Sequence, residues 1–368
     1  MNRAETIRAA GAAVIGAGPA GSVAALLLAR AGWPVTLIEQ HRFPRDKVCG
    51  ECLSALGIEV LTRMGLDEEL RSLDPVIHTH FAIYRPDGRH SRLTLPRPMW
   101  GISRKVLDSC LLRRAVESGV KLLQPARFER LDSQPPRLRV RDLTSNQVRV
   151  LQPDQVIIAD GKPAASRTTD DFGIKAHFCD VDGPRDTIEL FGCDGCYGGL
   201  AAIEGNRWNA AFSVPAARLR RHRGNIDRLF AQIMRENRTL GRRLARSRQI
   251  SGWLAAPLPR FAVRGGWPRD VIAVGNAAAA IEPIGGEGIG LALRSAEIAV
   301  ATILARGPTQ DEQHSQTIAA YRRLWRLLRS SSRAAAVIVS HPSLSRALVP
   351  LLRRSPAAAR VSLMALGK

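Results

Sequence analysis

The sequence predicts an α/β protein: a parallel-sheet nucleotide-binding domain, interrupted by an inserted antiparallel sheet and followed by a helical C-terminal tail. Three observations predict it. Short apolar runs that turn at glycine stand at AAVIGAG (12–18), VIIAD (156–160) and VIAVG (271–275), at the start, middle and end of the chain. The stretches between them alternate and turn as antiparallel hairpins do. Residues beyond about 311 read as basic amphipathic helices. Strands drawn from three separate stretches make a discontinuous domain with an insertion. The expected boundaries are 10–75 with 100–175 and 265–310 for the nucleotide domain, 76–99 with 176–264 for the inserted substrate domain, and 311–368 for the tail.

Each element has its reason. AAVIG is a buried strand entering a tight loop, and Ala20–Ala31 is a small apolar helix ended by Gly32. VTLIEQ (35–40) is a second buried strand, which completes a βαβ opening. Residues 53–72 look helical. HTHFAIYRPDGRHSRLTLP (78–96) alternates and turns at Pro86-Asp87-Gly88. Ser103 is placed to cap a helix that runs through Leu107, Leu111 and Leu112 to about Ser118. Residues 137–151 read as a polar hairpin. From about 176 to 214 the pattern is strand-like again, with turns at Asp182-Gly183 and Glu204-Gly205-Asn206. Residues 218–248 are basic and helical, with Leu219, Ile226, Leu229, Ile233 and Met234 as the apolar side. A last helix of the nucleotide domain opens near Gly288, and residues 312–366 form the helical tail.

Composition sets outer bounds. The 368 residues, 45% hydrophobic, suffice for a sizeable core. No run approaches the roughly 18 unbroken apolar residues of a membrane span. The Arg-flanked apolar start lacks a clear cleavage site and continues into a strand, so a cytoplasmic protein, with peripheral membrane contact, is expected. A formal charge of +21 favours acidic partners such as nucleic acid, anionic headgroups or phosphorylated substrates, although an Arg-rich composition also follows from a GC-rich genome.

GAGPAG (16–21) follows a strand and opens a helix, as a dinucleotide fingerprint does. Gly16 makes the turn, Gly18 admits a pyrophosphate, Pro19 and Ala20 open the helix, and Gly21 lets it pack on the strand. The helix N-terminus supplies N–H groups and a positive dipole end. Glu39 stands eighteen residues beyond Gly21, where a carboxylate accepts bonds from a ribose. ADGKPAASR (159–167) turns at Asp160-Gly161 after its strand. GNAAAAIEPIGGEGIGLALRSAE (275–297) keeps side chains out of a loop with Gly285, Gly286, Gly288 and Gly290.

In this order and spacing, GAGPAG with Glu39, ADG, and GNAAAAIEPIGGEGI resemble the three FAD motifs of flavoproteins with the aromatic-hydroxylase fold. RDKVCGE, GISRKVLDSCLLRRAVESG and GEGIGLALRSAE further resemble the geranylgeranyl-reductase-like branch of that group. The resemblance implies a Rossmann-type FAD-binding domain. It implies that Glu39 binds the AMP ribose, that Asp160 and Gly161 lie near the pyrophosphate, and that Arg104 lies close to the cofactor. Gly275, Asn276, Ala277, Pro283, Gly286, Glu287, Gly288 and Ile289 would run along the ribityl chain and flavin ring. The third motif of the family begins Gly-Asp; here it begins Gly275-Asn276, which keeps hydrogen bonding but loses a charge.

KVCGEC (47–52) carries a Cys-x-x-Cys pair that recurs at Cys193 and Cys196. A thiol redox pair expects a thioredoxin-like unit, and a zinc knuckle expects pairs about 15–20 residues apart. Cys193 lies 141 residues beyond Cys52. In the resembling branch the loop lies beside the flavin and the substrate. Cys49, Gly50 and Glu51 are therefore expected to line the active site, Lys47 to place positive charge near the flavin, and Cys52 to pack. Dithiol chemistry, or zinc between the two pairs, stays an open alternative; no metal is expected.

The functional expectation is an FAD-dependent oxidoreductase acting on a bulky hydrophobic small molecule such as a polyketide, phenolic lipid or isoprenoid. NAD(P)H, visiting only transiently, is expected as electron donor. Oxygen insertion (hydroxylation or epoxidation) leads, because most of the wider superfamily are monooxygenases; hydride transfer to an isolated carbon–carbon double bond is the alternative. A third reading makes the basic helices a membrane- or RNA-binding module. Leu324, Trp325, Leu327 and Leu328, flanked by arginines, fit a surface-lying helix, while packing of that face on the FAD domain is favoured. Contact with an anionic membrane is kept as a partner, and nucleic acid is not expected.

Overall fold

The protein is described by a computed structural model, which places residues 5–7, 11–132, 136–161, 171–259, 261–264, 267–268, 271–305 and 309–368. Its centre is a five-stranded parallel sheet. The order is β18 (Val271–Ala273), β11 (Gln155–Ile158), β2 (Ala12–Ile15), β3 (Val35–Ile38), β7 (Lys121–Leu123). Strands buried on both faces read as unbroken apolar runs, which is why four of these five were legible, all but β7. Helices α1 (Pro19–Arg30), α4 (Arg104–Glu117) and α8 (Gly288–Leu304) pack with the sheet around Val14, Val23, Leu26, Leu37, Leu107, Leu111 and Leu293.

The inserted part is a nine-stranded sheet. Its path is β16 (Arg248–Gln249), β12 (Asp171–Cys179), β15 (Arg207–Pro215), β14 (Cys196–Ile203), β13 (Thr187–Cys193), β5 (Val76–Tyr84), β6 (His90–Gly101), β4 (Cys52–Leu53), with β17 (Leu254–Pro257) also on β12. All its pairings are antiparallel except β13 with β5. One face is covered by α6 (Ile226–Glu236) and α7 (Arg238–Leu244), entered through α5 (Ala216–Arg221). Leu229, Phe230, Ile233 and Leu240 meet Phe178, Trp208 and Phe212 there. β4 matters most for function: it ties the KVCGEC loop to this sheet, through Cys52 opposite Gly101.

A small sheet, β1 (Glu5–Ile7), β10 (Val148–Leu151), β9 (Arg137–Asp142), β8 (Ala126–Asp132), adds more than the hairpin expected at 137–151. Its first strand comes from the stretch that resembled a leader, paired parallel to β10. Helices α2 (Ala55–Arg63) and α3 (Asp67–Arg71) account for the helical reading of 53–72.

The tail is α9 (Gln310–Ser340), α10 (Pro342–Arg354) and α11 (Pro356–Ala365). A full capping box starts α9: Thr309 accepts from the Glu312 amide, and Glu312 reaches back to the Thr309 amide. Tyr321 and Trp325 are buried; the Tyr321 hydroxyl donates at 3.0 Å to the carbonyls of Ala273 and Ser295. That stretch of α9 packs on β18 and α8 rather than lying on a surface. Among the described residues no single helix is long and apolar enough to cross a membrane.

Candidate active site

The glycines of GAGPAG divide into two kinds. A Cβ on Gly21 would sit 1.8 Å from the Gly16 carbonyl oxygen, and one on Gly16, itself at φ +101°, would sit 2.6 Å from that of Ala159. These two are required by the turn and by the helix lying on the strand. A Cβ on Gly18 would meet nothing nearer than Arg104 Nη2 at 4.0 Å, and one on Gly50 or Gly288 would meet nothing within 4 Å. At these three positions the protein's own packing does not require a glycine. Gly18 is the N-cap of α1, with Pro19 in the first turn and Ala20 buried behind it. At the end of β3, the buried Glu39 carboxylate accepts from the amides of Ala17 at 2.9 Å and His41 at 2.8 Å, which fixes it beside the loop.

Positive charge gathers over the same place. Lys47, half-buried, has its ammonium 3.2 Å from the position of a Cβ on Gly161. Burial first, then the neighbouring charges of Arg104 and Arg45, push its pKa down to about 8. Arg104 is held by Asp108 through bonds of 2.7 and 2.5 Å, while Arg45 Nε is buried with no hydrogen-bond partner. Three cations crowd together with one carboxylate among them, so the site fits a doubly negative pyrophosphate. Lys47 was expected to place positive charge near the flavin; its ammonium stands beside Arg104 and Arg45 and is not part of the cavity wall described below. Asp160 is exposed and Gly161 half-buried; 162–167 of the ADGKPAASR stretch lie outside the described residues.

A pH dependence follows. Below about pH 8 Lys47 is charged with or without an anion beside it. Above that, the free protein must first take up a proton. FAD affinity is expected to fall as pH rises past 8, by up to about tenfold per pH unit, until the higher pKa of the anion-bound state is reached. Lys47→Arg should remove the fall, read by fluorescence titration. A flat wild-type profile over that range would place Lys47 away from the cofactor.

The third motif wraps the other side. Gly275 (φ +59°), Asn276 and Ala277 form a 3-10 turn, with Asn276 exposed. Ser295 Oγ accepts the Gly275 amide at 2.8 Å and so fixes the turn to α8. Pro283–Gly285 is a second 3-10 turn, ended by Gly286 in the left-handed region at φ +69°. Ile289 is buried in the first turn of α8. Glu287, expected at the cofactor, is buried against the Lys368 ammonium at 2.7 Å. It ties the glycine loop to the helical tail, because a buried carboxylate needs a cation and Lys368 supplies one.

Between the glycine loop and the large sheet lies a cavity of about 140 Å³. Its wall includes Val48, Cys49, Gly50 and Cys52 from the loop, Tyr197, Asn209 and Phe212 from the sheet, and Pro283 and Gly286. It is overwhelmingly apolar. Cys49 Sγ accepts the Glu51 amide at 3.3 Å and pairs with the Arg104 guanidinium. Asn209 donates to the Cys49 carbonyl at 3.1 Å, and its own oxygen is buried without a partner. Cys52, expected only to pack, also lines the cavity, because β4 brings it opposite Gly286. Burial pushes its thiol up to about 12.

Glu51, expected in the cavity wall, is not part of it. Its backbone is left-handed (φ +57°), and its fully buried carboxylate turns toward the sheet. It accepts from Lys175 Nζ at 2.5 Å and the Arg104 amide at 2.9 Å, and bonds His177 Nε2 at 2.7 Å. Asp46, Glu51 and His177 lie close enough to hold an ion, but the Lys175 ammonium already stands among them. Cys193 and Cys196 face each other across the β13–β14 turn with Glu236 nearby, in a separate cluster from Cys49 and Cys52. Arg218 donates to Cys196 Sγ at 3.0 Å, which sets a cation where a metal would have to sit.

Sequence reasoning missed Lys175, His177, Asn209, Tyr197 and Glu282. Tyr197 donates to Glu282 at 2.5 Å, and Arg333 of α9 pairs with the same carboxylate at 2.9 Å. The same is true of Glu204, which accepts from the Ser103 amide and hydroxyl at 2.8 and 2.5 Å and thus braces the N-cap of α4. Lys175, His177, Tyr197 and Asn209 sit in largely apolar strands, and that was the one available signal for them; Glu204 and Glu282 stand at turns and gave none.

Comparisons with known proteins agree with this geometry. The FAD binding domain family matches residues 9–182. Conditioned medium factor receptor 1 of Dictyostelium discoideum is 27% identical over 85% of this chain and 66% of its own length. Menaquinone reductase of Mycolicibacterium smegmatis is 34% identical over 30% of this chain and 27% of its own length. The chain thus spans under two thirds of these relatives. A geranylgeranyl bacteriochlorophyll reductase-like structure from Thermoplasma acidophilum superposes with a TM-score of 0.78, at 19% identity, over 100% of this chain and 97% of that one. A flavin-dependent brominase gives 0.80, at 16% identity, over 97% and 93%. With the three motifs and the cation cluster in place, residues 9–182 form an FAD-binding domain, and the chain as a whole has the fold of FAD-dependent oxidoreductases.

Proposed function

We propose that this chain uses FAD to reduce an isolated carbon–carbon double bond in a bulky apolar molecule of isoprenoid type. FAD, when bound, supplies the hydride, and NAD(P)H or a partner reductase would recharge it. The cavity wall holds the apolar body of the substrate and excludes water. Saturating a double bond also needs a proton. Cys49 is the side chain in that wall placed to give one, and the Glu51 amide and Arg104 facing its sulfur can take up the charge left behind. That position of Cys49 is the observation that carries the reading. Oxygen insertion would use the same cavity. It fits less well with the partly exposed Cys49 thiol in the wall, which an oxygenating flavin could oxidise. The menaquinone reductase relative supports reduction at the level of family.

The test is product analysis. FAD-loaded protein, reduced without air and given a polyprenyl substrate, is expected to return product heavier by two hydrogens. Cys49→Ala should keep its FAD and lose on the order of 10²–10⁴ in turnover, the usual contribution of a positioned acid. Product heavier by one oxygen, formed only in air, would instead establish oxygen insertion.

A further inference from the structure

We propose that the outer faces of α10 and α11 dock on an anionic lipid surface, and that the chamber beneath them takes the chain end of a substrate drawn from it. The docking stands on the tail alone; the chamber rests on the cavity reading above.

The chamber, about 210 Å³, lies between the large sheet and the tail. Leu348 and Leu352 of α10, with Leu363 and Ala365 of α11, form part of its roof. Phe81, Leu190 and Ile284 line both it and the flavin-side cavity, so the two share a wall. The inner faces of α10 and α11 are thus spent on an apolar space.

Their outer faces are apolar as well. Leu344 and Leu351 are 45% and 53% exposed, and Val361 and Met364 are each 65% exposed. Residues seven apart, and three apart, share a helix face. A helix of an ordinary soluble domain shows one apolar side, not two. Charge identifies the occupant. Residues 313–368 contain nine arginines, one lysine and no aspartate or glutamate. Arg333 and Lys368 are neutralised by Glu282 and Glu287, while Arg346, Arg353, Arg354 and Arg360 on these two helices are exposed. Apolar residues between arginines suit acyl chains below anionic headgroups. A second copy of the chain would bring the same sign of charge against itself.

The experiment is sedimentation of the full FAD-loaded chain with vesicles of phosphatidylcholine, alone or doped with phosphatidylglycerol. Binding is expected with the doped vesicles and should weaken as salt is raised. Arg353→Gln and Arg354→Gln should each weaken it by about fivefold. The double variant V361E/M364E should weaken it by at least about tenfold while holding FAD and keeping its Tm. No difference between the two vesicle types, or V361E/M364E binding as wild type does, would overturn the docking. So would light scattering that shows a wild-type dimer which the variant turns into a monomer. Ala335→Phe, which fills the chamber, should lower turnover of long-chain substrates and spare short ones, with vesicle binding unchanged. Equal loss on both would overturn the chamber assignment. Vesicle binding without turnover of any prenyl substrate would remove the reduction reading and leave the docking standing.

Discussion

Glu51→Ala is expected to lower the stability of the folded protein by about 3–5 kcal/mol, the usual cost of removing one partner from a buried ion pair. Lys175 is 1% exposed and His177 is 3% exposed, and both are bonded to this carboxylate. Without it the Lys175 ammonium keeps only the Lys47 carbonyl at 3.3 Å and the more distant Asp46 at 3.6 Å. The loop carrying Cys49 would come loose from β12 and from the start of α4 together, so turnover should fall with stability. The pH dependence separates the charge from the packing. Burial alone would raise the Glu51 pKa, but the His177 bond and the Lys175 charge outweigh it, and the net shift is downward from 4.5. A depressed carboxylate stabilises the fold fully above its unfolded value, and that contribution is lost as pH falls through the lower folded value. Wild-type protein should therefore shed this stability in acid below 4.5, and Glu51→Gln should start lower at neutral pH and lose less on the way down. Denaturant melts at several pH values read both effects. Parallel curves for the two proteins would mean that Glu51 acts by shape alone.

This network also shows where reading from the sequence runs out. GAGPAG, Glu39 and the Gly275–Ile289 loop were legible because each packs its chemistry into a few consecutive residues: a strand, a turn and a helix N-terminus. Glu51 was legible as a member of a loop, but not as its anchor. Its partners stand 124 and 126 residues away on β12, and no local pattern relates them. A lysine and a histidine in an alternating strand read as solvent-facing, whereas the sheet buries both under the loop. The tail was legible as basic helices. That α9 buries Tyr321 and Trp325, while α10 and α11 keep apolar residues on two sides, depends on which neighbour each helix meets.

The last expected result uses two glycines three residues apart. Gly18→Trp should leave the folded apoprotein within about 1 kcal/mol of wild type, because Gly18 has φ −69°, which any residue adopts, and a Cβ there meets only the far end of Arg104 at 4.0 Å. The same change should abolish FAD uptake. An indole would fill the space above the N-terminus of α1 where a pyrophosphate must approach, and losing two charge-assisted bonds at about 1.5–3 kcal/mol each already weakens binding by two orders of magnitude or more. Gly21→Ala should behave differently. Its added Cβ falls 1.8 Å from the Gly16 oxygen and 3.0 Å from the Ala159 Cβ, so the loop or the helix must move and the apoprotein itself should melt early. Thermal melts with and without FAD distinguish the cases. Wild type should gain Tm on adding FAD, Gly18→Trp should show a normal apo Tm and no gain, and Gly21→Ala should start low. Stoichiometric flavin on Gly18→Trp would show that the cofactor does not lie across this loop, and the assignments of Lys47, Arg104 and the cavity beside Cys49 would fall with it.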